Sequence, residues 1–287
     1  MGTYLERDKF AQNIGNVFTF DLEYIGKTPN IDDCYIWDIA VVHLQTNTAV
    51  EISIYPDIHP FPRPFSEEFV QVTDALLKSR NAVSFSQAWN RVIQFIQTVR
   101  VNVSGPVILV AHNAFKSDKE ILQIECKRNN IKMPYSFYFF DSLIFCRKIL
   151  SKQVSYTLND IYFALFGKSI ENHHFAISDT VALKDILIKL DVRKLEGPIY
   201  PAYHTSLQAV KWLGPSCERR LFYNNIRSVE ILVQHIVTNY CDRQLNHFHV
   251  PLQQFLEMFL VQHYNIKKGN AVSISNSLIL GKWINGV

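Results

Sequence analysis

Four acidic residues and one histidine stand where predicted strands and helices begin or end. Asp21 and Glu23 close the first predicted strand, Asp118 follows a later strand, and Asp179 opens a helix shortly after His174. Because side chains alternate along a strand, Asp21 and Glu23 share one face. Two carboxylates so close repel each other unless a positive charge lies between them. A divalent cation meets that need, because Mg²⁺ and related ions prefer oxygen ligands.

Each of these acids also has a simpler explanation. Asp118 and Asp179 lie in predicted first helical turns, where the helix dipole favours a negative charge, and an Asp-x-Glu pair alone is weak evidence for a site. His173 precedes His174, and a surface histidine pair needs no function. The joint pattern favours chemistry, because four carboxylates and one base at the ends of elements suit phosphodiester hydrolysis with two metal ions.

The same order of residues resembles that of the DEDDh branch of the DnaQ-like exonucleases, and within it the three-prime repair exonucleases (TREX). The likeness spans about residues 16–190 and is carried by four stretches: FDLEYIG (20–26), LVAHNAFKSD (109–118), FDSLIFCRK (140–148) and SYTLNDIYFALFGKSIENHHFAISDTVALKDIL (155–187). It implies an RNase H-like α/β fold. It also implies hydrolysis of single-stranded DNA or RNA from the 3′ end to nucleoside 5′-monophosphates.

The resemblance implies a role for each acid and for the histidine. Asp21, Glu23, Asp118 and Asp179 would hold two Mg²⁺ or Mn²⁺ ions, with Asp21 shared between them. His174 would act as the general base, since the ordinary pKa of histidine suits proton removal near neutral pH. The competing hypothesis is a nucleic-acid-binding or protein-interaction scaffold on an exonuclease fold. A scaffold predicts the loss of some acids, yet all five residues are present.

Residues beside the acids are candidates for substrate binding. Leu22, Tyr24 and Ile25 adjoin the first pair of acids, and we expect Tyr24 and Ile25 to pack on the terminal nucleotide, because base–aromatic stacking accepts any base. Packing in the protein core is the alternative for Tyr24. His112 and Asn113 are weaker candidates, and we expect them to orient the third acid rather than to contact substrate.

Hydrophobic patterning predicts a mixed α/β sheet flanked by helices. Predicted strands cover residues 16–21, 35–42, 49–55, 106–111 and 136–141, and predicted helices cover residues 69–77, 84–99 and 116–129. The first three strands follow one another closely and indicate a meander. The apolar run PVILVA at 106–111 is typical of a central parallel strand. Residues 195–201 (LEGPIYP) are predicted to be a linker between an exonuclease domain, 1–195, and a mainly helical domain, 204–287.

The C-terminal region offers two weaker site hypotheses. Residues 207–232 contain a Leu-Gly-Pro turn between helical stretches and resemble a helix-hairpin-helix module, which binds phosphate through backbone N–H groups. Three nearby arginines would add positive charge: Arg219, Arg220 and Arg227. We favour the alternative, a helical extension that packs on the sheet or on a partner. One cysteine and three histidines match no standard zinc spacing: Cys241, His247, His249 and His263.

Composition bounds the class of protein. The net charge of +3 is compatible with nucleic acid binding without arguing for it. Five scattered cysteines without a Cys-x-x-Cys pair indicate reduced thiols and an intracellular protein, either cytoplasmic or nuclear. We expect no membrane association, because no secretory signal is evident and no apolar run reaches about 18 residues. The expected partners are nucleic acid 3′ ends, with a protein partner for residues 204–287 or a homodimer as further options.

Overall fold

A computed structural model describes residues 13–26, 33–58, 60–61, 70–150, 155–194, 199–202, 210, 213, 217, 220–221, 226, 228–245 and 251–280. The chain divides into two compact units, Met1–Tyr203 and His204–Val287. The first unit contains a sheet with helices, and the described part of the second is helical. Among the described residues, no helix combines the length and the apolar character that crossing a membrane requires.

A six-stranded mixed sheet forms the centre of the first unit. Its strands are β1 (Val17–Ile25), β2 (Tyr35–His43), β3 (Ala49–Ser53), β4 (Val107–Ala111), β5 (Phe137–Asp141) and β6 (Ile199–Pro201). They lie in the order β3-β2-β1-β4-β5-β6. The first three strands form an antiparallel meander, β1, β4 and β5 run parallel, and β6 is antiparallel to β5. The predicted RNase H-like mixed sheet and its meander are confirmed.

Six helices in the described part of the first unit flank this sheet. They are α1 (Asp74–Ser79), α2 (Phe85–Val99), α3 (Asp118–Arg128), α4 (Ser142–Ile149), α5 (Leu158–Phe166) and α6 (Ala176–Lys189). Ser84 and Gln87 form a capping box at the start of α2, which fixes its N-terminus. Helix α1 begins later than predicted, because the Thr73 side chain accepts a hydrogen bond from the backbone of Leu76 and caps the helix there.

The sheet is buried on both faces at its centre. All five residues of β4 are buried, as expected for a parallel strand covered on both sides. Helix α6 packs against β1 and β2, and its buried side chains include Leu183, Ile186 and Leu187. This packing fixes the first turn of α6 relative to the C-terminal half of β1, where the acidic residues lie.

The predicted linker at residues 195–201 is partly wrong. Residues 199–201 form β6, and the backbone of this strand pairs with Tyr138, Phe139 and Phe140 of β5. Pairing satisfies the hydrogen-bonding groups along the edge of β5, which would otherwise need water or another partner. The sheet therefore extends beyond the predicted end of the exonuclease domain at residue 195.

The second unit has three helices in its described part, α7 (Val229–Leu245), α8 (Leu252–Tyr264) and α9 (Lys268–Leu280). They share a hydrophobic core that includes Leu232, Phe255, Phe259 and Ile274, and the mainly helical character predicted for this region is confirmed. Most of the predicted hairpin at 207–232 lies outside the described residues. So do His247, His249 and the side chain of Cys241, which belong to the zinc hypothesis.

Candidate active site

Three carboxylates converge at the end of β1 that faces the start of α6. Ligand atoms of Asp21, Glu23 and Asp179 all lie within 4.8 Å of one another. Asp21 and Glu23 are half-buried on one face of β1, whereas Leu22 between them points into the core. Asp179 is buried in the first turn of α6. The structure therefore brings together three of the four acids that the sequence singled out.

A local irregularity in β1 accompanies this arrangement. The register with β2 shifts between Glu23 and Tyr24, so that Glu23 pairs with Asp38 and Tyr24 pairs with Ile36. Such bulges bend a strand and change the direction of the side chains next to them. Here the shift follows directly after the second metal-ligand candidate.

Asp118, the fourth acid, lies close to this group and is held by two hydrogen bonds. Its Oδ1 accepts from the backbone N–H of Leu22 at 3.1 Å, and its Oδ2 accepts from the Ser117 hydroxyl at 2.7 Å. Ser117 is the residue before α3, but it makes no side-chain capping bond. Asp118 therefore joins the start of α3 to the strand that carries Asp21 and Glu23.

The two histidines before α6 contact Asp179. His173 Nδ1 lies 2.7 Å from Asp179 Oδ1, and the backbone N–H of His174 donates to Asp179 Oδ2 at 3.2 Å. The rings of His173 and His174 stack with centroids 3.9 Å apart. His174 has a φ of 70°, a left-handed conformation that costs energy in residues other than glycine. Its hydrogen bond to Asp179 stabilises that conformation.

The acids raise one another's pKa values. Burial and the neighbouring charges, above all that of Asp118, raise the pKa of Asp21 well above its usual range. Burial followed by the charges of Asp179, Asp38 and Asp118 raises the pKa of Glu23 to about 9. Burial raises the pKa of Asp118 to about 7, although its bonds from Ser117 and Leu22 act in the opposite direction. A positive charge placed among these groups would keep them ionised.

Divalent cations fit this set of residues. Asp21, Glu23 and Asp179 offer three carboxylates within reach of one ion, and Mg²⁺ and Mn²⁺ prefer such oxygen ligands. A cation would also remove the repulsion that raises the pKa values of Asp21 and Glu23. Asp118 offers a fourth carboxylate beside Asp21, whose pKa it raises.

Sequence reasoning missed two buried acids beside the site. Asp38 pairs with Glu23 across β1 and β2 and is fully buried. Asp141 ends β5 and accepts hydrogen bonds from the backbone N–H groups of Asn113, Phe115 and Leu143. The signals were available, because Asp38 interrupts an apolar strand and Asp141 ends one. His173 was set aside as one of a surface pair, yet it contacts Asp179.

His112 does not orient Asp118 as expected, and Asn113 reaches Asp118 only indirectly. His112 Nδ1 lies 3.0 Å from Ser142 Oγ, and its Nε2 lies 2.9 Å from the carbonyl oxygen of Tyr156. Burial lowers the pKa of His112 to about 4, so this ring is neutral near neutral pH. Both ring nitrogens bind groups away from Asp118, at the start of α4 and just before α5. Only the backbone carbonyl of Asn113 reaches toward Asp118, through the Ser117 hydroxyl.

The residues next to Glu23 differ in what they can offer a substrate. Ile25 was expected to pack on the terminal nucleotide, but it is buried against Trp37, Val72 and Leu77 in the protein core. Leu22 is also buried. Tyr24 is half-buried, and burial raises the pKa of its hydroxyl. Tyr24 is the one of these three side chains that is accessible enough for a nucleotide to contact.

Comparison with known protein families decides the class of the molecule. Residues 18–187 match the model of the RNase_T family, which is described as exonuclease. The match covers more than half of the chain and includes the four acids and His174. The chain belongs to the RNase_T exonuclease family. Its resemblance to the DEDDh exonucleases is confirmed, whereas the narrower likeness to the three-prime repair group stays a prediction. No curated protein matches the chain.

Solved exonuclease structures are also similar to this family member. The nuclease domain of 3′hExo, a DEDDh family member, bound to rAMP has a TM-score of 0.49 and 14% identity, and the match covers 64% of this chain and 94% of that chain. A full-length 3′-exonuclease has a TM-score of 0.48 and 14% identity over 61% and 59% of the two chains. A third structure, described as 3′-end specific recognition of histone mRNA stem-loop by 3′-exonuclease, has a TM-score of 0.48 and 14% identity. The match covers 63% of this chain and 65% of that chain.

Proposed function

We propose that this protein is a metal-dependent 3′→5′ exonuclease that removes nucleoside 5′-monophosphates from single-stranded DNA or RNA ends. The observation that carries the proposal is the convergence of ligand atoms from Asp21, Glu23 and Asp179 within 4.8 Å. Membership of the exonuclease family supports it. Buried carboxylates gathered in one place are typical of functional sites, which favours catalysis over a scaffold role.

Each residue of the site has a proposed task. Asp21, Glu23 and Asp179 would hold one divalent cation, and Asp21 with Asp118 would hold a second. Two bound cations would lower the pKa of the attacking water and neutralise negative charge on the phosphate. His174 would accept the proton of that water, because it lies in the loop just before α6 and its backbone N–H bonds to Asp179.

Asp118 and His173 would position these groups. The bond from Leu22 N–H keeps one oxygen of Asp118 directed at β1, which places its charge beside Asp21. His173 stacks on His174 and contacts Asp179 Oδ1, so that it restricts both the proposed base and a proposed metal ligand. We assign proton transfer to His174 rather than to His173, because His174 and Asp179 have the His-x(4)-Asp spacing of the DEDDh exonucleases that the chain resembles.

Tyr24 is the proposed contact for the terminal nucleotide. It follows Glu23 directly and is half-buried, so that one part of the ring is anchored and another part is accessible. Stacking of a base on an aromatic ring contributes about 1–3 kcal/mol and accepts any base. This contact would favour an unpaired 3′ end without selecting a sequence.

A time course on end-labelled oligonucleotides tests the proposal. Single-stranded DNA and RNA of the same sequence, labelled at the 5′ end, are incubated with Mg²⁺, with Mn²⁺ or with EDTA. The Asp21→Ala variant is the matched inactive control. We expect a ladder that shortens from the 3′ end, release of nucleoside 5′-monophosphates, and no product with EDTA or with Asp21→Ala.

Three results would contradict the proposal. Product formation at the wild-type rate in EDTA would exclude the metal requirement. Equal rates for Asp21→Ala would exclude the acidic site, and immediate release of a labelled mononucleotide from the 5′ end would exclude the polarity. The ratio of the DNA rate to the RNA rate assigns the sugar preference.

A further inference from the structure

A fifth carboxylate, Asp38, lies beside Glu23 on the neighbouring strand and is paired with an arginine. Its side chain has 0% exposure and lies opposite Glu23 across two strands. The Nη2 group of Arg80, which follows α1, donates to both oxygens of Asp38 at 3.2 and 3.1 Å. The Ser53 hydroxyl donates to Asp38 Oδ1 at 3.1 Å. A buried carboxylate is tolerated when it is paired and hydrogen-bonded in this way.

The same arginine also contacts the loop that carries His174. The Cζ atom of Arg80 lies 5.2 Å from the centroid of the Phe175 ring, which is within the range of a cation–π interaction. Phe175 follows His174 directly and is the N-cap residue of α6. Its carbonyl oxygen accepts hydrogen bonds from the N–H groups of Ser178 and Asp179. Arg80 therefore contacts Asp38, which pairs with Glu23. It also contacts Phe175, which adjoins His174 and accepts a hydrogen bond from Asp179.

We propose that Arg80 is a positioning residue of the exonuclease centre, which holds the acidic face of β1 and the His174 loop in one arrangement. This inference rests on the proposed function, because it assigns Arg80 to the same site. The planar guanidinium can bind two carboxylate oxygens and lie over a ring at once, whereas a lysine ammonium is a single compact charge. Arg80 also donates to Glu51 Oε1 at 2.6 Å and to Ser53 Oγ at 2.5 Å, so its plane is fixed from several sides.

Charge makes this pairing important for the site. Arg80 is the cation paired with this fully buried carboxylate, with Nη2 3.1 Å from Asp38 Oδ2. Loss of Arg80 would leave a buried carboxyl without its counter-ion next to Glu23, and it would release the Phe175 ring from one of its contacts.

The experiment compares substitutions at Arg80 and Phe175 with a matched control elsewhere in the sheet unit. Arg80→Gln removes the charge, Arg80→Lys keeps the charge without the planar guanidinium, and Phe175→Leu removes the aromatic ring. Arg128→Gln is the control, because Arg128 also pairs with a carboxylate, that of Glu125. Its Cζ lies 4.1 Å from the ring centroid of Tyr35, so the control loses the same kinds of contact outside the site.

We expect kcat to fall by about 10–100-fold in Arg80→Gln, the usual effect of losing a group that orients catalytic ligands. KM for the oligonucleotide should stay close to the wild-type value. Arg80→Lys should recover part of kcat. Because both residues act on the same loop, Arg80→Gln with Phe175→Leu should lower kcat no further than the more damaging single substitution. Arg128→Gln should keep the wild-type kcat.

A second readout uses the metal-free protein and needs no activity. The ring signals of His174 in a ¹H–¹³C NMR spectrum, assigned with His174→Ala, should move in Arg80→Gln and stay in place in Arg128→Gln. If the wild-type protein had no nuclease activity, the proposed function would fail, and the NMR comparison would still decide the role of Arg80. Unmoved His174 signals together with a wild-type kcat in Arg80→Gln would overturn the inference. If Arg80→Gln does not fold, Arg80→Lys provides the same two comparisons.

Discussion

The backbone N–H of Leu22 donates a hydrogen bond to Asp118 Oδ1 at 3.1 Å. This bond links the strand that carries Asp21 and Glu23 to the first residue of α3, far away in sequence. Asp118 therefore has two roles that can be separated by experiment. Its charge belongs to the acidic site, and its oxygen satisfies a backbone donor in the buried part of β1.

Two substitutions at Asp118 should have different effects. Asp118→Asn keeps an oxygen that can accept from Leu22 N–H but loses the charge, so we expect wild-type stability and little turnover. Asp118→Ala leaves a buried N–H without its acceptor, which costs about 1–3 kcal/mol. Urea unfolding and the oligonucleotide assay measure the two quantities. Full activity in Asp118→Asn would show that the charge of Asp118 has no part in the reaction.

Alanine substitutions at the two stacked histidines, His173 and His174, should have different effects on turnover. We expect His174→Ala to lower kcat by about 10²–10⁴-fold, the usual contribution of a general base, while Mn²⁺ binding followed by electron paramagnetic resonance stays near the wild-type affinity. His173→Ala should lower kcat less, because His173 contacts Asp179 and stacks on His174 without transferring the proton. A larger loss in His173→Ala than in His174→Ala would reverse the assignment of the base.

The stability of the metal-free protein should depend on pH through Glu23. Its pKa is raised from 4.5 to about 9, first by burial and then by Asp179, Asp38 and Asp118. Between these values the folded protein holds a proton that the unfolded chain has lost, so the free energy of unfolding falls as pH rises. Below pH 4.5, where Glu23 is protonated in both states, its contribution to the free energy of unfolding is fully present.

We therefore expect Tm of the metal-free protein to be lower near pH 9 than near pH 6. Glu23→Gln has no carboxylate to ionise at this position and should flatten the difference. Mg²⁺ or Mn²⁺ should raise Tm most at the higher pH, because cation binding requires the deprotonated ligands. An increase of Tm with pH in the metal-free wild-type protein would contradict the raised pKa.

His112 should matter for stability more than for substrate binding. His112→Leu removes the bonds to Ser142 Oγ and to the carbonyl oxygen of Tyr156, and we expect a loss of about 1–3 kcal/mol in the free energy of unfolding. KM should remain near the wild-type value. Unchanged stability with a raised KM would return His112 to the set of substrate contacts. The two quantities are measured by urea unfolding and by initial rates.

Fragments that end on either side of β6 should behave differently. A fragment of residues 1–203 keeps the complete sheet unit, and we expect it to be soluble and to retain exonuclease activity. A fragment of residues 1–195 loses β6 and leaves the edge of β5 unpaired, which favours aggregation. Size-exclusion chromatography and the oligonucleotide assay distinguish them. A folded but inactive 1–203 fragment would show that the second unit takes part in catalysis or substrate binding.

Periodicity and residue order were sufficient to predict most of the sheet. β4 was evident because five apolar residues follow one another, and the meander was evident because its strands are separated by short connections. β6 was not, because Ile199, Tyr200 and Pro201 are too few to show alternation, and proline rarely marks a strand. Only the pairing with β5, which is distant in sequence, makes these residues a strand.

The acidic site was predictable to the extent that each acid ends or begins an element. The sequence could not show which of the surrounding residues are buried in the core and which are accessible or paired near the site. Ile25 and Tyr24 are neighbours in β1, yet one is buried in the core and the other is half-buried, and the shift in register after Glu23 is visible only in three dimensions. The pairing of Asp38 with Arg80 likewise depends on the contact between β2 and the end of α1.

The pairing of β6 with β5 has a consequence for synthesis of the protein. During translation, residues up to the end of α6 emerge with every proposed metal ligand, but the outer edge of β5 stays open until Ile199–Pro201 have left the ribosome. An unpaired edge is a template for the wrong partner. The nascent chain therefore carries an unpaired strand edge from the emergence of β5 until β6 emerges, an interval that includes the completion of its acidic site.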